Sequence, residues 1–419
     1  MRDTLLIRDA LLLDRDDPVD IHVSDGRIQR IEPATDGNPR DTAGEVLDAD
    51  GGLVTPAFVE PHLHIDKALT YPRLPPPGAG TLVHRASART RQVKAHYARD
   101  DLIARASQAF TLAIGHGVGT IRAHVDIDPI GGLTALYAMM ELRDRYATAL
   151  DIQLVAFPQQ PIARDPRARG LLRAALAEGA DVLAGAPDVE HPDDRAAHLE
   201  AVLALAGETG VPLDVHCDYS YDPGQRDLER LARRTVELGL VGRVRAGHCC
   251  ALDAYDDATA EEVIAAVRAA AIHICVCPLG NQLLVGDEIP PRGRGTSRLR
   301  TLIARGVEVC AGGDNVHDMW FPFGRLDPAE VAMATVLAAQ LRVPEQIRQA
   351  FDMVTVGAAR YVGAPADGVQ VGAVADLVVF SAASLVDVLR NAPGRRTTIK
   401  RGRVVGGAES RVWADVRSG

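Results

Sequence analysis

Lysine is nearly missing from this chain. Of 46 basic residues only Lys67, Lys94 and Lys400 are lysines, leaving 43 arginines. The skew reads as genome composition, but any site that needs a lysine side chain has three positions to draw on. Excess positive charge is missing too: the formal net charge of −10 argues against a binder of nucleic-acid backbones, which needs a basic face. No run reaches the roughly 18 apolar residues of a membrane helix, so no membrane segment is expected. The stretch from Met1 to Asp9 interrupts its apolar run with charge, and no signal peptide is expected. Cysteine is sparse as well. None of Cys217, Cys249, Cys250, Cys275, Cys277 and Cys310 shows zinc-ribbon spacing, and Cys275-Val276-Cys277 reads as small buried residues inside a strand. The set is expected to be reduced thiols of a cytoplasmic protein. Internal repeats and low-complexity tracts are absent from the sequence.

What is present is enough apolar residue, 47% of 419, for a large core. Both ends read as short strands. Leu5–Leu13, Val19–Val23 and Arg27–Ile31 surround the hairpin turn Asp25-Gly26. Val369–Val371, Ala375–Phe380, Thr397–Arg401 and Arg403–Val405 repeat that texture near the other end. One small β domain, a β-sandwich, is therefore expected from residues 1–53 and 366–419. The middle, 54–365, alternates. Strands are expected at Val54–His64, Thr120–Asp126, Ile152–Pro158, Asp181–Ala186, Leu213–Asp218, Arg243–His248, Ile272–Cys277 and Val307–Asp314. Between them lie helical periods such as Asp101–Ile114, Leu133–Arg145, Leu171–Ala177, Ala196–Thr209, Gln225–Leu238 and Ala258–Ala270. Eight strands separated by helices predict an α/β fold, a TIM-like (β/α)8 barrel, against the alternative of an open doubly wound sheet. Polar residues at the C-terminal ends of many different strands favour the barrel. Leu69–Thr81 is too rich in proline and glycine for a helix or strand, and fits either an active-site loop or a plain surface loop.

The chain is organised around Val54–Lys67, an apolar run that ends in His62-Leu63-His64. Residues two apart on a strand share a face, so both imidazoles can aim at one point beyond the strand end. Two ordinary strand-end histidines would look the same, and the later segments shift the balance. The fifth strand ends Asp214-Val215-His216-Cys217-Asp218-Tyr219, the sixth ends in His248, and the eighth ends Gly312-Gly313-Asp314-Asn315. A parallel barrel gathers these ends into one ring, so His62, His64, His216 and Asp314 can surround one divalent cation, Zn²⁺ or Fe²⁺. The chemistry expected is attack by metal-activated water. Asp314 can touch the metal and accept the water proton, while His248, not needed as a ligand, can hydrogen-bond the nucleophile and polarise the electrophile.

Five stretches resemble the amidohydrolase superfamily, and within it bacterial cytosine deaminase. They are Thr55–Asp66, Arg122-Ala123-His124-Val125-Asp126, Val155–Gln159, Asp214–Asp218 and Asp314–Trp320. The resemblance runs from about residue 50 to 330 and more weakly to both ends. It implies a mononuclear site with His62, His64, His216 and Asp314 as ligands and His248 facing the attacking water. It implies Gln159 as a hydrogen-bond partner of the substrate's ring amide and Trp320 as an aromatic wall. Binuclear relatives carry a carboxylated lysine on the fourth strand; here Asp181–Pro187 has no lysine, which supports one metal.

Two departures bear on the substrate. Where the family deaminases have a proton-shuttling glutamate, this chain has Tyr219, a poor shuttle at neutral pH with a phenol pKa near about 10. Where a second acid usually follows the metal aspartate, it has Asn315. Lys67, in His64-Ile65-Asp66-Lys67, resembles the start of the triazine-degrading N-alkylaminohydrolases. At a pocket mouth it could bind an anionic or carbonyl-rich ring, and the plain alternative is a surface lysine paired with Asp66. Tyr221, Glu190 and His124 are weaker pocket candidates. The expected activity is hydrolytic removal of ammonia or an alkylamine from a pyrimidine-, pterin- or triazine-like ring. The alternatives are ring opening of a cyclic amide or imide and, further off, a non-catalytic ligand-binding homologue. The expected partner is a small heterocyclic substrate, with no nucleic acid and no membrane, and a homo-oligomer is compatible with these features.

Overall fold

The computed structural model describes residues 4–34, 44–76, 82–286, 293–390 and 394–410. The chain forms two compact units, one of Met1–Phe58, Leu112–Gly119 and Pro365–Gly419, the other of Val59–Thr111 and Thr120–Ala364. No helix among the described residues is long and apolar enough to cross a membrane.

In the first unit both chain ends build one mixed eight-stranded sheet. Its order is Arg403–Ala408, Arg396–Lys400, Leu377–Phe380, Leu53–Pro56, Thr4–Leu12, Arg15–Ser24 and Arg27–Pro33, with Glu45–Asp48 pairing parallel to Thr4–Leu12. Asp25 and Gly26 both have positive φ, +52° and +75°, which tight hairpins require. One face buries Leu5, Ile7, Val19, Ile21, Val23, Ile28, Leu377, Val379 and Ile399. The strand expected at Val369–Val371 is instead turn and bend. It lies between Gly368 and Gly372, both at positive φ, and only Val374 makes an isolated bridge, to Arg27.

The second sheet is the barrel. Its eight strands are Phe58–His64, Val118–Asp126, Asp151–Phe157, Val182–Gly185, Leu213–Cys217, Val244–His248, His273–Val276 and Val309–Ala311, in sequential order. A parallel bridge from Leu63 to Asp314 links the last segment to the first. The strands are buried almost throughout, as expected of parallel strands covered on both faces. Local signals set the helices between them. Asp165 caps Pro166–Glu178 by accepting from Arg167 N and Ala168 N, Pro166 opens that helix, and Gly179 closes it at φ +115°. Asp256 caps Asp257–Ala269 in the same way through Thr259 N.

One expectation about the first barrel segment needs correction. Val54–His64 is not one strand: Leu53–Pro56 pairs in the first sheet and Phe58–His64 in the barrel. The break falls after Pro56, which has no N–H for a ladder. The short 3₁₀ turn Ile65–Lys67 follows the strand, the proline-rich stretch Leu69–Thr81 holds a second, Tyr71–Arg73, its residues 77–81 lie outside the described ones, and an additional helix, Leu82–Lys94, comes next.

Candidate metal centre and active site

Barrel closure itself assembles the centre. Asp314 N donates to His62 O at 2.8 Å and His64 N donates to Asp314 O at 2.9 Å, so the first and last segments deliver their side chains from one hydrogen-bonded pair. His216 Nε2 lies 3.0 Å from both His62 Nε2 and His64 Nε2. Asp314 Oδ1 is 3.8 Å from His62 Nε2 and 3.5 Å from His64 Nε2. Ligands at zinc distances stand about 3.3–3.6 Å apart at tetrahedral angles, and these separations bracket that range. One proton cannot satisfy three apposed ring nitrogens, whereas one cation can accept all their lone pairs. Two of the imidazoles are also held in the ligating, neutral form. Burial, then the Lys67 ammonium and nearby imidazoles, keeps His64 well below the ordinary histidine value, and burial with the neighbouring imidazoles does the same for His216. Burial pushes the Asp314 carboxyl up to about 6 against the pull of His62. The four residues therefore fit a divalent cation in donor type and spacing.

The backbone is strained where the chemistry would be. Asp218, His248, Cys249 and Asp314, all at strand ends, have φ of +52°, +66°, +53° and +66°. Close approach also demands glycine here. A Cβ on Gly247 would lie 3.0 Å from His62 Cε1, and one on Gly313 would lie 2.9 Å from Glu60 Oε2. Glu60 sits two residues before His62 and accepts from His62 N and Gly313 N, and burial raises its carboxyl to about 8. It braces the two segments that carry His62 and Asp314.

His248 is buried beside the cluster, with its ring 5.2 Å from His62 and 4.8 Å from His216. Burial pushes its pKa down to about 3. Its Nδ1 pairs with Asn281 Oδ1 at 3.0 Å, which leaves Nε2 as the acceptor. Sequence reasoning missed Asn281. Its only signal was a polar residue four positions past Cys277, on a short helix that nothing local ties to His248. Asn281→Leu is expected to lower kcat about 10-fold or more with little change in KM, because the imidazole loses its orientation. Steady-state kinetics on metal-loaded protein checks this.

Tyr219 packs against His248, ring centroids 4.3 Å apart and planes tilted by 53°, and burial holds its phenol well above its ordinary value. It shares an apolar cluster with Tyr221, Leu284, Val285, Val83 and Trp320. Trp320 is anchored by Nε1 donating to Thr90 Oγ1 at 3.0 Å, so the additional helix Leu82–Lys94 supports that wall. Gln159 is buried just past the third strand. Asn315 is buried, and its Nδ2 donates to Asp318 at 2.9 Å, leaving its carbonyl oxygen uncommitted to that bond. Of the weaker candidates, Tyr221 and Glu190 are tied up locally. Tyr221 bonds Asp253, and Glu190 bonds His198 and two backbone N–H groups. His124 lies among the ligand imidazoles.

Lys67 is not at the surface. Its side chain is fully buried, and its Nζ lies 2.6 Å from Asp126, 3.1 Å from His64 Nδ1 and 3.7 Å from Asp66. Lys94 completes the network through Asp126 and Asp128. Lys400, in the other unit, is buried against Asp376 and Gly119 O. The three lysines of this chain thus all serve buried pairs. Lys67→Met, which leaves Asp126 short of a partner, is expected to destabilise by about 3–5 kcal/mol in denaturant unfolding.

The amidohydrolase family profile matches residues 78–406. The chain belongs to the amidohydrolase family. That family is generally metal-dependent, and this chain is a hydrolase acting on carbon–nitrogen bonds other than peptide bonds. This amidohydrolase is 30% identical over 390 residues to a pterin deaminase of Rhizobium rhizogenes, covering 92% of this chain and 87% of that one. It is 28% identical over 406 residues to the N-isopropylammelide isopropyl amidohydrolase of Pseudomonas sp. strain ADP, covering 96% of each. The crystal structure of 5-methylcytosine deaminase from Klebsiella pneumoniae liganded with 5-fluorocytosine superposes with a TM-score of 0.89 at 30% identity, covering 98% of this chain and 99% of that one.

Proposed function

We propose that this amidohydrolase uses one divalent metal ion, zinc or iron, to remove ammonia or an alkylamine hydrolytically from a nitrogen heterocycle. The observation that carries this reading is the convergence of His62, His64 and His216 Nε2 with Asp314 Oδ1 at separations of 3.0–3.8 Å. A cation held there supplies acidification of water, from a pKa of about 15.7 to about 7. The rest falls to the chain's own side chains. Asp314 accepts a proton through its carboxylate, whose second oxygen is free for that role when the first holds the cation. His248, neutral and with Nε2 free to accept, orients the nucleophile and then the leaving nitrogen. Gln159 and the Asn315 carbonyl read the ring's amide edge, Trp320 flanks its face, and Lys67, paired with Asp126 beside His64, braces the site from behind. The substrates named for the relatives, a pterin, N-isopropylammelide and 5-methylcytosine, all fit this class.

Tyr219 is the discriminating residue. As a neutral phenol in an apolar wall it cannot relay protons as a carboxylate does, so the leaving-group side of the pocket favours alkylated nitrogen over free amine. The same feature supports a second reading, ring opening of a cyclic amide or imide. The test is a panel of aminopyrimidines, pterins, N-alkylated triazines and cyclic imides with metal-loaded protein, followed by mass spectrometry. Deamination replaces NH by O, while ring opening adds one water; silence on every amine-bearing ring defeats the first reading. Tyr219→Glu is expected to raise turnover of free-amine rings about 10²-fold, because a carboxyl at that depth titrates nearer neutrality. A comparison of ammonia release between the two proteins measures it.

A further inference from the structure

The second barrel strand carries a histidine for which the chemistry above has no use. His124 is fully buried, with its ring centroid 4.3 Å from that of His62, 5.1 Å from His64 and 5.2 Å from His216. Neither of its ring nitrogens, nor the Nδ1 of His62 or of His216, has a hydrogen-bond partner among the described residues. Buried polar atoms are costly to leave unpaired, and four of them in adjacent rings is an unusual concentration. A carboxylate stands near. The ligand-type atoms of His62, His124 and Asp214 lie within 4.8 Å of one another. Asp214 is two residues before His216 on the fifth strand, so its side chain shares that residue's inward face one layer deeper.

We infer that one internal water bridges His62, His124 and Asp214, and that His124 and Asp214 are positioning residues that fix the orientation of the metal-binding His62 ring through it. A histidine that gives one nitrogen to a metal almost always donates the other N–H to a carboxylate, a carbonyl or water. For His62 no direct acceptor is within reach, and a water accepts that N–H while donating to Asp214 and to the lone pair of His124. Three polar partners are what a buried water needs. A second cation is excluded by charge. Asp214 already accepts from the Arg122 guanidinium at 2.9 Å and from the Tyr361 hydroxyl at 2.9 Å, so a dication there would face Arg122 across a compensated carboxylate. The inference rests on His62 being a metal ligand.

A high-resolution crystal structure of the metal-loaded wild-type protein tests the bridge directly. An ordered solvent peak within hydrogen-bond reach of all three side chains is expected. No peak, or a peak with a metal's anomalous signal, overturns the inference. His124→Leu removes the polar partner at similar volume and is expected to weaken metal affinity about 10- to 100-fold in chelator competition. It should also shift the absorption bands of the cobalt-substituted protein. His124→Asn restores a donor and an acceptor and is expected to recover most of both. Unchanged affinity in folded His124→Leu overturns the proposal. Should that variant fail to fold, the wild-type density and the Asn variant decide. A wild-type protein that holds no metal against His62 at all defeats the underlying reading instead, and metal content shows that separately.

Discussion

Replacing His216 by alanine is expected to strip the protein of its metal and to lower kcat/KM by about 10⁴-fold, or ~5.4 kcal/mol of transition-state stabilisation. His216 is the centre of the proposed ligand set: its Nε2 faces the His62 and His64 imidazoles at 3.0 Å, and each of those also faces Asp314. Without it, two imidazoles and one carboxylate remain on a single edge of the site, and the side facing the fifth strand is open. Dialysed His216→Ala should hold well under one metal per chain by elemental analysis and keep the wild-type far-UV spectrum. The barrel does not depend on that side chain for its hydrogen-bond ladder. Adding excess metal should not restore the rate. Retained activity in a metal-free His216→Ala protein is incompatible with the proposed centre.

His248→Ala is expected to separate chemistry from metal binding. It should retain its metal while kcat falls about 10²- to 10⁴-fold, the range for losing a positioned acid–base group. The pH profile sharpens the prediction. A histidine whose pKa is lowered takes up its proton only below that lowered value, so His248, at about 3, stays neutral through the working range. Its titration therefore cannot produce an acid limb near about 6.5, the free-histidine value. The acid limb of the wild-type profile should persist at the same pH in His248→Ala, beneath a much lower plateau. A variant with wild-type kcat removes His248 from the mechanism even with the metal in place.

Much of the barrel was legible because its signals are local. Alternating strand and helix periods, Asp and Pro at helix starts and Gly at helix ends mark most elements in the order the structure shows. His62-Leu63-His64 was legible for the same reason: the pairing needs only a strand and a spacing of two. What could not be read depends on contacts between distant segments. Asn281 meets His248 across 33 positions, and Glu60 meets Gly313 across 253. Neither partner carries a local mark of the other. Lys67 reads either as a pocket-mouth group or as a surface lysine paired with Asp66; only the fold brings Asp126, 59 positions away, to its ammonium. The split of Val54–His64 at Pro56 was written in the sequence, in a residue that cannot donate to a ladder, but the apolar run on both sides hid it. Tyr219 was visible as a departure, while its consequence, a neutral phenol packed on the His248 ring, needed the geometry.

The central claim is that four side chains hold one catalytic cation. Its most direct test is to strip the protein with a chelator and titrate back zinc or iron, following bound metal per chain and amine release together. Activity should be absent at the start, rise in proportion to bound metal and level off at one ion per chain. Turnover by the stripped protein, or a rate that keeps climbing until two ions are bound, contradicts the account.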